Sequence, residues 1–355
     1  MIPIPSREEL KILQDLPLEV KIRKTQQRIR EWIDYYGQDG VYVSFSGGKD
    51  STVLLDIVRK MYPDIEAVFV NTGLEYPEIV DFVKTFDNVT ILRPKKNFRK
   101  VLTEYGYPVI SKEISNKADK VSKSIKQGNT NTVRYRQFMG IEKKENGEPS
   151  EYNCERYKFL LEAPFRVSDR CCDVMKKAPI HRFDSSKRKV PLIGQMAAES
   201  KQRETKWINN GCNAFELKRP QSNPLSFWTN NDILTYIHTY NLPIASVYGD
   251  IVPDDTGQLP GQENIYDILG DYRSCKFKTT GCNRTGCMFC LFGAHLEKGE
   301  GRLERMKRTH PKRYEYVMGG GEFDSDGMWI PNNKGLGFKF VIDWLSENGN
   351  LNIKY

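Results

Sequence analysis

The sequence predicts an α/β fold with a doubly wound, mostly parallel sheet and helices on both faces. Residues 41–45 alternate apolar and smaller side chains as a strand does, and a Gly-Gly turn then leads into residues 52–58, which carry the apolar face of a helix. Further strand patterns follow at residues 65–70, 89–92 and 190–194. Strands that alternate with helices in this way are typical of a parallel sheet.

Composition narrows the classes of partner and location. Lys and Arg number 54 against 46 Asp and Glu, and the formal net charge of +8 suits polyanionic partners such as nucleotides or nucleic acids. No apolar run reaches the length that crosses a bilayer, and the first residues lack the parts of a signal peptide. We therefore expect a cytoplasmic protein whose eight cysteines are thiols, metal ligands or catalytic groups rather than structural disulfides.

The turn at residues 46–51, Ser-Gly-Gly-Lys-Asp-Ser, has the composition of an anion site. It lies where a strand ends and a helix begins, so unpaired N–H groups and the positive end of the helix dipole favour an anion. The glycines let the backbone approach that anion closely, and the lysine adds a positive charge. An ordinary turn with incidental glycines is the alternative, and the agreement of strand, glycines, cation and helix favours phosphate binding. The spacing is not that of a Walker A loop.

This turn resembles the PP-loop of the ATP pyrophosphatases and of the phosphoadenosine phosphosulfate (PAPS) reductase family. The resemblance implies a fold of the adenine-nucleotide α-hydrolase type. It also implies that ATP, PAPS or adenosine phosphosulfate (APS) lies across the carboxyl ends of the strands. The residues that would hold the phosphates are Ser46, Gly47, Gly48, Lys49, Asp50 and Ser51.

A second segment of the same resemblance follows the strand pattern at residues 65–70. Asn71, Thr72 and Gly73 resemble the family's Asp-Thr-Gly, which lies near the bound nucleotide. A loop at the carboxyl end of a parallel strand is where open α/β sheets place ligand contacts. Asn71 replaces the usual Asp, so a role that needs a negative charge there is not carried over.

A third segment follows the strand pattern at residues 190–194 and resembles the family's Gly-x-Arg-x-x-Glu-Ser-x-x-Arg. Met196 stands where the first Arg is expected, so one anion contact is missing or supplied elsewhere. The matching residues are Gly194, Glu199, Ser200 and Arg203. Residues 224–237 resemble the family's Pro-Leu, Trp-Thr, Asp-Ile helix, which we expect Thr229 or Asn230 to cap.

The cysteines allow two sets of metal ligands. Cys287 and Cys290 form a CxxC pair, whose spacing lets two thiolates converge on zinc or an iron–sulfur cluster. With Cys275 and Cys282 they would make a local knuckle, most naturally for structural zinc. The other set joins them to the tandem Cys171 and Cys172 around a 4Fe-4S cluster, an arrangement similar to that of iron–sulfur APS reductases, and we prefer it. Buried thiols or a redox-active pair are the alternative to both.

The sequence divides into three predicted regions. We predict an N-terminal helical segment over residues 1–40 and a nucleotide-binding domain over 41–244. A cysteine-bearing region would cover residues 245–355. A polar insertion at about residues 95–147 is expected to form helices over the active-site mouth or a mobile segment. The basic stretch at residues 301–314 predicts a helix that either presents a phosphate-binding face to nucleic acid or packs on the cysteine region.

The resemblance to PP-loop pyrophosphatases with an iron–sulfur cluster implies an enzyme that would adenylate an oxygen of its substrate, release pyrophosphate and let sulfur replace the activated oxygen. The predicted catalytic residues are Lys49, Asp50 and Arg203, with Mg²⁺ placed by Asp50. The acceptor would be a nucleic acid or a small metabolite, and a sulfur-donor protein is a candidate partner. Because the chain has no cysteine after Cys290, sulfonucleotide reduction would need an external thiol and is the second hypothesis. A non-catalytic nucleotide-sensing or nucleic-acid-binding protein is the third.

Overall fold

The structure is a computed structural model that describes residues 5–254 and 275–355. The α-helices in this part of the chain are α1 (Arg7–Gln14), α2 (Leu18–Tyr36), α3 (Lys49–Met61), α4 (Pro77–Lys84), α5 (Phe98–Tyr105), α6 (Lys112–Lys126), α7 (Val133–Phe138), α8 (Arg170–Cys172), α9 (Ala178–Lys187), α10 (Lys201–Asn210), α11 (Asn230–Thr239), α12 (Arg302–Thr309), α13 (Pro311–Met318) and α14 (Phe338–Gly349). A π-helix, Asp173–Lys177, joins α8 to α9. No helix in this part is long and apolar enough to span a membrane.

The strands are short. In chain order they are β1 (Val41–Ser44), β2 (Ala67–Val70), β3 (Val89–Leu92), β4 (Val109–Ile110), β5 (Val190–Ile193), β6 (Asn213–Ala214), β7 (Gln221–Ser222), β8 (Ile251–Pro253), β9 (Phe277–Thr279), β10 (Leu291–Phe292), β11 (Glu322–Phe323) and β12 (Trp329–Ile330).

The chain divides into two compact units. The first takes its described residues from Met1–Asn71, Glu75–Leu92 and Ile180–Thr285, and the second takes them from Thr72–Leu74, Arg93–Pro179 and Gly286–Tyr355. These limits differ from the domain boundaries at residues 40 and 244 that the sequence predicts, since each unit collects distant segments. The sequence-based boundaries stay a prediction about domains.

The first unit contains a six-stranded sheet in the order β3-β2-β1-β5-β7-β6. Its pairs are parallel except for β6 with β7, so the predicted α/β class with a mostly parallel sheet is confirmed. The strand order reverses direction between β1 and β5. In open α/β sheets, the carboxyl ends of two such strands form the crevice where ligands bind.

Helices cover both faces of the central strand β1. Tyr42 is fully buried and packs edge-on against Phe183 of α9. Phe45 points to the opposite face, because side chains alternate along an extended chain, and its ring meets Phe86 just after α4. This arrangement confirms the predicted doubly wound packing.

Two local predictions can be checked in the first unit. The helical segment predicted over residues 1–40 contains two helices, and Pro17 stands between α1 and α2, where its ring cannot continue a helix. Thr229 caps α11, as expected: its side chain accepts a hydrogen bond from the Asp232 N–H, and the Asp232 carboxylate accepts one from the Thr229 N–H.

The second unit contains the polar insertion, which folds into helices α5, α6 and α7, with β4 between α5 and α6. β4 pairs in parallel with β10, so this insertion joins the chain that follows the CxxC pair. The closing helix α14 buries Phe338, Val341, Ile342 and Leu345, so it packs on a core with its apolar face.

Candidate functional site

The phosphate loop, defined here as residues 46–51, follows β1 at the point where the strand order reverses. Gly47 has a φ of +69°, in the left-handed region that favours glycine. A Cβ at this position would lie 2.7 Å from Val83 Cγ2 and 2.8 Å from Ile79 Cγ2. Both the backbone angle and the packing therefore require glycine here.

Hydrogen bonds of the Ser51 hydroxyl stabilise the conformation of the loop. The Ser46 N–H donates to Ser51 Oγ at 3.1 Å, and the Ser51 hydroxyl donates to the Gly48 carbonyl at 2.9 Å. Gly48 is the N-cap of α3 and has no side chain to cap the helix. A helix N-terminus without an N-cap side chain attracts anions through its N–H groups and its dipole.

Lys49 begins α3 and is buried, with 3% of its surface exposed. Its Nζ donates to the Asn283 carbonyl at 3.1 Å and lies 3.6 Å from Asp50 Oδ1. Burial lowers the pKa of Lys49, the carboxylate of Asp50 opposes that shift, and the positive charge of Arg284 adds to it. A buried ammonium group that lies near another cation is a strong attractor for phosphate.

The segment after β5 reaches the same place. A Cβ on Gly194 would lie 3.0 Å from the Asp50 carbonyl oxygen, so the two chain segments are in close approach. Ser200 caps α10 by accepting the Arg203 N–H at 3.3 Å, and Met196 is buried. The structure thus brings this predicted segment to the phosphate loop.

Glu199 forms ion pairs with two arginines. One is Arg203, the matching residue of the motif, and the other is Arg284, whose Nη2 lies 2.8 Å from Glu199 Oε1. Burial lowers the pKa of Arg203, and repulsion by Arg284 lowers it further. Three cations, including Lys49, therefore crowd around two carboxylates, and the local charge favours an anion.

A cavity of about 360 Å³ opens beside these charges. Lys49, Glu199 and Arg284 line its polar side, while Leu234 and Phe277 line its apolar side. This volume and mixed lining are typical of small-molecule sites.

Asp50 is the candidate for a magnesium ligand. Its Oδ1 is buried and has no hydrogen-bond partner among the described residues. Carboxylate oxygens together with substrate phosphates are the usual ligands of Mg²⁺ in proteins. A buried carboxylate oxygen that faces the Lys49 ammonium group but accepts no hydrogen bond therefore fits that ion.

The Asn-Thr-Gly segment is divided between the two units. Asn71 belongs to the first unit, where its N–H donates to the Leu92 carbonyl at 2.9 Å, and Thr72 and Gly73 belong to the second. Thr72 Oγ1 accepts the Leu74 N–H at 3.2 Å, and Gly73 has a φ of +78°. Their nucleotide-binding role stays a prediction.

The four cysteines of the preferred ligand set all belong to the second unit. Cys171 and Cys172 end α8 and are followed directly by the π-helix, a feature often found at functional sites. A hydrogen bond from the Cys171 thiol to Cys172 and burial raise the pKa of Cys171, and the nearby thiols of Cys290 and Cys287 act in the same direction. The pairing of the tandem cysteines with the CxxC pair in one ligand set stays a prediction.

The four thiols have different surroundings. The hydrogen bond from Cys171, with the charges of Lys112 and Lys176, lowers the pKa of Cys172. Burial and Cys287 raise the pKa of Cys290 to about 11. The donors suit a four-thiolate centre in type and number. Within residues 5–254 and 275–355, however, no group of three or more His, Cys, Asp or Glu side chains is already arranged to hold a metal ion.

The alternate ligands Cys275 and Cys282 belong to the first unit and are buried. Cys275 packs in a hydrophobic cluster with Leu234 and Phe277, and the Cys282 N–H donates to the Val247 carbonyl at 2.9 Å. These surroundings favour packing roles for both residues. All eight cysteines lie in the described part of the chain, and none forms a disulfide.

The basic stretch after the CxxC pair packs within the second unit. Leu303 and Met306 of α12 are buried, and Arg302 Nη1 donates to the Cys290 carbonyl at 3.0 Å. Arg305 and Arg308 form ion pairs with Glu300. These contacts favour the packing alternative over a nucleic-acid-binding face.

Sequence reasoning missed Arg284, Tyr248 and Thr285. The Tyr248 hydroxyl accepts the Lys49 N–H at 3.2 Å and shares a hydrogen bond of 2.5 Å with Thr285 Oγ1. Burial raises the pKa of Tyr248 to about 12, so it is neutral near pH 7. Arg284 lies between Cys282 and Cys287, and it matches no position of the family's arginine-containing motif.

A model of the phosphoadenosine phosphosulfate reductase domain matches residues 40–146 and 130–291, which span the phosphate loop, the segment after β5 and the CxxC pair. The chain belongs to this family. The prediction of a PAPS-reductase-like PP-loop protein is thereby confirmed.

Several relatives are similar over different shares of the chain. MJ0973, an uncharacterized protein of Methanocaldococcus jannaschii, is 41% identical over 73 residues, which are 19% of this chain and 18% of that protein. The chain therefore spans about a fifth of that relative. The adenosine 5'-phosphosulfate reductase of Staphylococcus haemolyticus is 23% identical over 249 residues, 69% of this chain and 79% of the reductase.

Two solved structures are similar at low identity. One is the PAPS reductase of Candida auris in its phosphate complex, with 16% identity, a TM-score of 0.35 and coverage of 68% of this chain and 90% of that one. The other is the U34-tRNA thiolase NcsA of Methanococcus maripaludis with its [4Fe-4S] cluster, with 14% identity, a TM-score of 0.32 and coverage of 72% and 74%.

Proposed function

We propose that this protein binds ATP at the phosphate loop, cleaves the bond between its α- and β-phosphates, and adenylates an oxygen of a substrate for replacement by sulfur. Lys49, Asp50 and Arg203 carry the reaction, and Cys171, Cys172, Cys287 and Cys290 hold an iron–sulfur cluster. The acceptor is a nucleic acid or a small metabolite.

One observation carries the nucleotide part of this proposal. The N-terminus of α3, which has no N-cap side chain, and three cations, Lys49, Arg203 and Arg284, converge where the strand order reverses. Backbone N–H groups and buried cations stabilise a polyphosphate far better in such a place than in water, because few water molecules compete for its oxygens.

In the proposed reaction the substrate oxygen attacks the α-phosphorus while the α–β phosphoanhydride bond breaks and pyrophosphate leaves. Lys49 and the loop N–H groups bind the pyrophosphate as its charge grows. A magnesium ion held by Asp50 would share that charge. A sulfide sulfur from the donor then attacks the activated carbon, and the C–S bond forms as the C–O bond breaks to release AMP.

The cysteine cluster has a separate role in the proposal. Its four thiols would hold a 4Fe-4S cluster, which supplies sulfur binding or delivery when bound. Lys112 and Lys176 lower the pKa of Cys172, which favours the thiolate that metal ligation requires.

Sulfonucleotide reduction is the second candidate, favoured by the similarity to adenosine 5'-phosphosulfate reductases over 69% of the chain. Such a reaction transfers a sulfite group to a thiol. In this candidate reaction an external thiol is proposed as the acceptor.

A direct test incubates anaerobically purified protein with labelled ATP, and separately with PAPS or APS plus thioredoxin. Release of pyrophosphate from ATP, increased by a sulfur acceptor, supports the adenylation proposal. Release of sulfite without pyrophosphate supports reduction instead. If nucleotide binds and neither product forms in a protein that retains its iron, both reactions are contradicted and the non-catalytic alternative remains.

A further inference from the structure

The turn formed by residues 282–285 lies against the phosphate loop, where two hydrogen-bond donors of Lys49 already have partners. The Asn283 carbonyl accepts a hydrogen bond from Lys49 Nζ at 3.1 Å. The Lys49 backbone N–H donates to the hydroxyl of Tyr248, which in turn is bound to Thr285 Oγ1. Both hydrogen-bond acceptors are neutral oxygens that stand where phosphate oxygens would bind.

Other contacts hold this turn in place. The Gly281 N–H donates to the Tyr248 carbonyl at 2.8 Å, and a Cβ on Gly281 would lie 2.4 Å from the Val247 carbonyl oxygen. Thr279 Oγ1 donates to Asn283 Oδ1 at 2.9 Å. The turn therefore has a defined conformation, and its hold on Lys49 is part of the folded first unit.

Arg284 projects from the same turn to the cavity of about 360 Å³ that Lys49 also lines. Its side chain keeps 63% of its surface exposed while it pairs with Glu199, which is only 12% exposed and also pairs with Arg203. Because Arg203 satisfies the same carboxylate, Arg284 can leave Glu199 without leaving a buried charge unpaired.

We propose that the Asn283 carbonyl and the Tyr248 hydroxyl, held by the turn at residues 282–285, occupy the positions on Lys49 that phosphate oxygens of the nucleotide take when it binds. Arg284 is the anion-binding residue that this turn contributes to the bound nucleotide. Phosphate oxygens replace the Asn283 carbonyl and the Tyr248 hydroxyl on Lys49, and Arg284 exchanges Glu199 for a phosphate or sulfate oxygen. This inference rests on the proposed nucleotide site.

The exchange follows from charge and hydration. A hydrogen bond to an ionised oxygen is about twice as strong as one between two neutral groups, so the Lys49 N–H gains when a phosphate oxygen replaces the Tyr248 hydroxyl. The Lys49 ammonium group gains the attraction of opposite charges when a phosphate oxygen replaces the neutral Asn283 carbonyl. The guanidinium of Arg284 can bind two phosphate oxygens in one plane, which a lysine cannot do. With Met196 buried beside the cavity, Arg284 supplies a cation from a different chain segment.

Equilibrium dialysis with labelled ATP, and separately labelled PAPS, in the presence of magnesium tests the proposal. For whichever nucleotide the wild-type protein binds, Arg284→Gln is expected to weaken binding about 10- to 100-fold, and Arg284→Lys less. Arg30→Gln, an exposed arginine on α2, is the matched control and should leave the dissociation constant unchanged. Thermal unfolding without nucleotide verifies that each variant is folded.

Removing the Tyr248 hydroxyl, the neutral acceptor of the Lys49 N–H, should change nucleotide affinity in the opposite direction. Tyr248→Phe leaves the Lys49 N–H available and is expected to tighten nucleotide binding about two- to tenfold. Thr285→Val, which removes the hydroxyl that holds Tyr248, should act in the same direction and replaces the first variant if that one does not fold.

The outcomes separate the two proposals. Wild-type binding that Arg284→Gln leaves within twofold, or that both Tyr248→Phe and Thr285→Val weaken, overturns this inference and leaves the proposed function standing. Failure of the wild-type protein to bind either nucleotide overturns both.

Discussion

The phosphate loop and the cysteine cluster are built in different ways. The loop is a continuous run of six residues whose conformation depends on glycine backbone angles, serine hydrogen bonds and the start of α3. The cysteine cluster joins two distant parts of the chain, and only its thiol groups define it. The first site should therefore be sensitive to backbone shape, and the second to the identity of a few atoms.

The largest effect is expected from Lys49→Met. Loss of the buried ammonium group should lower pyrophosphate release from ATP by roughly 10²- to 10³-fold, because the developing charge loses a fixed cation. Iron content should not change, since Lys49 belongs to the first unit and the cluster to the second. A product assay with Lys11→Met as the control, an exposed lysine on α1, measures this effect. Turnover within tenfold of the wild type would contradict the role of Lys49.

Cysteine variants test which side chains hold the metal in the cysteine cluster. Cys172→Ser and Cys287→Ser should each reduce iron from about four atoms per chain to nearly none, because a four-thiolate centre loses a ligand. Cys275→Ala should keep its iron, since Cys275 packs with Leu234 and Phe277. Iron and zinc analysis with the visible absorption spectrum measures these outcomes.

The reverse pattern of cysteine effects would sink the preferred ligand set. Iron or zinc that survives Cys172→Ser and is lost in Cys275→Ala would point to the local knuckle instead. Nucleotide affinity, measured on the same samples, should stay constant in all three variants if the two sites are independent.

A smaller effect is expected from Gly47→Ala. A Cβ at φ +69° is strained and would lie 2.7 Å from Val83, so the free energy of unfolding should fall by about 2–4 kcal/mol. Gly37→Ala is a matched control, because Gly37 has a φ of +74° but nothing lies within 4 Å of its Cβ position. It should lose about 1–3 kcal/mol from backbone strain alone, since its φ of +74° with a ψ of +152° is a conformation that glycine alone usually adopts. Urea unfolding measures both, and equal losses would show that packing around Gly47 adds nothing.

Sequence patterns predicted local structure well where neighbouring residues decide it. The strands at residues 41–44 and 89–92 match β1 and β3, and Thr229 caps α11 through a hydrogen bond to a residue three positions away. The break at Pro17 was also readable in principle, since proline cannot continue a helix.

Contacts between distant segments were less predictable. Met196 suggested that a cation was missing, but only the folded chain shows Arg284 at Glu199. Tyr248 belongs to no recognised motif, and its hydrogen bond to Lys49 depends on how the chain returns to the loop after α11. Side-chain pairs of this kind leave no periodic signal in the sequence.

The residue types of the phosphate loop and its turn into α3 are properties of the sequence itself, because steric limits on glycine and the dipole of a helix start act over a few residues. The neighbours of that loop were decided by tertiary structure. Pairing of β5 beside β1 brings Glu199 and Arg203 to it, and the returning chain adds Tyr248 and Arg284. These contacts depend on strand order and packing across long stretches of chain, which short-range preferences do not encode.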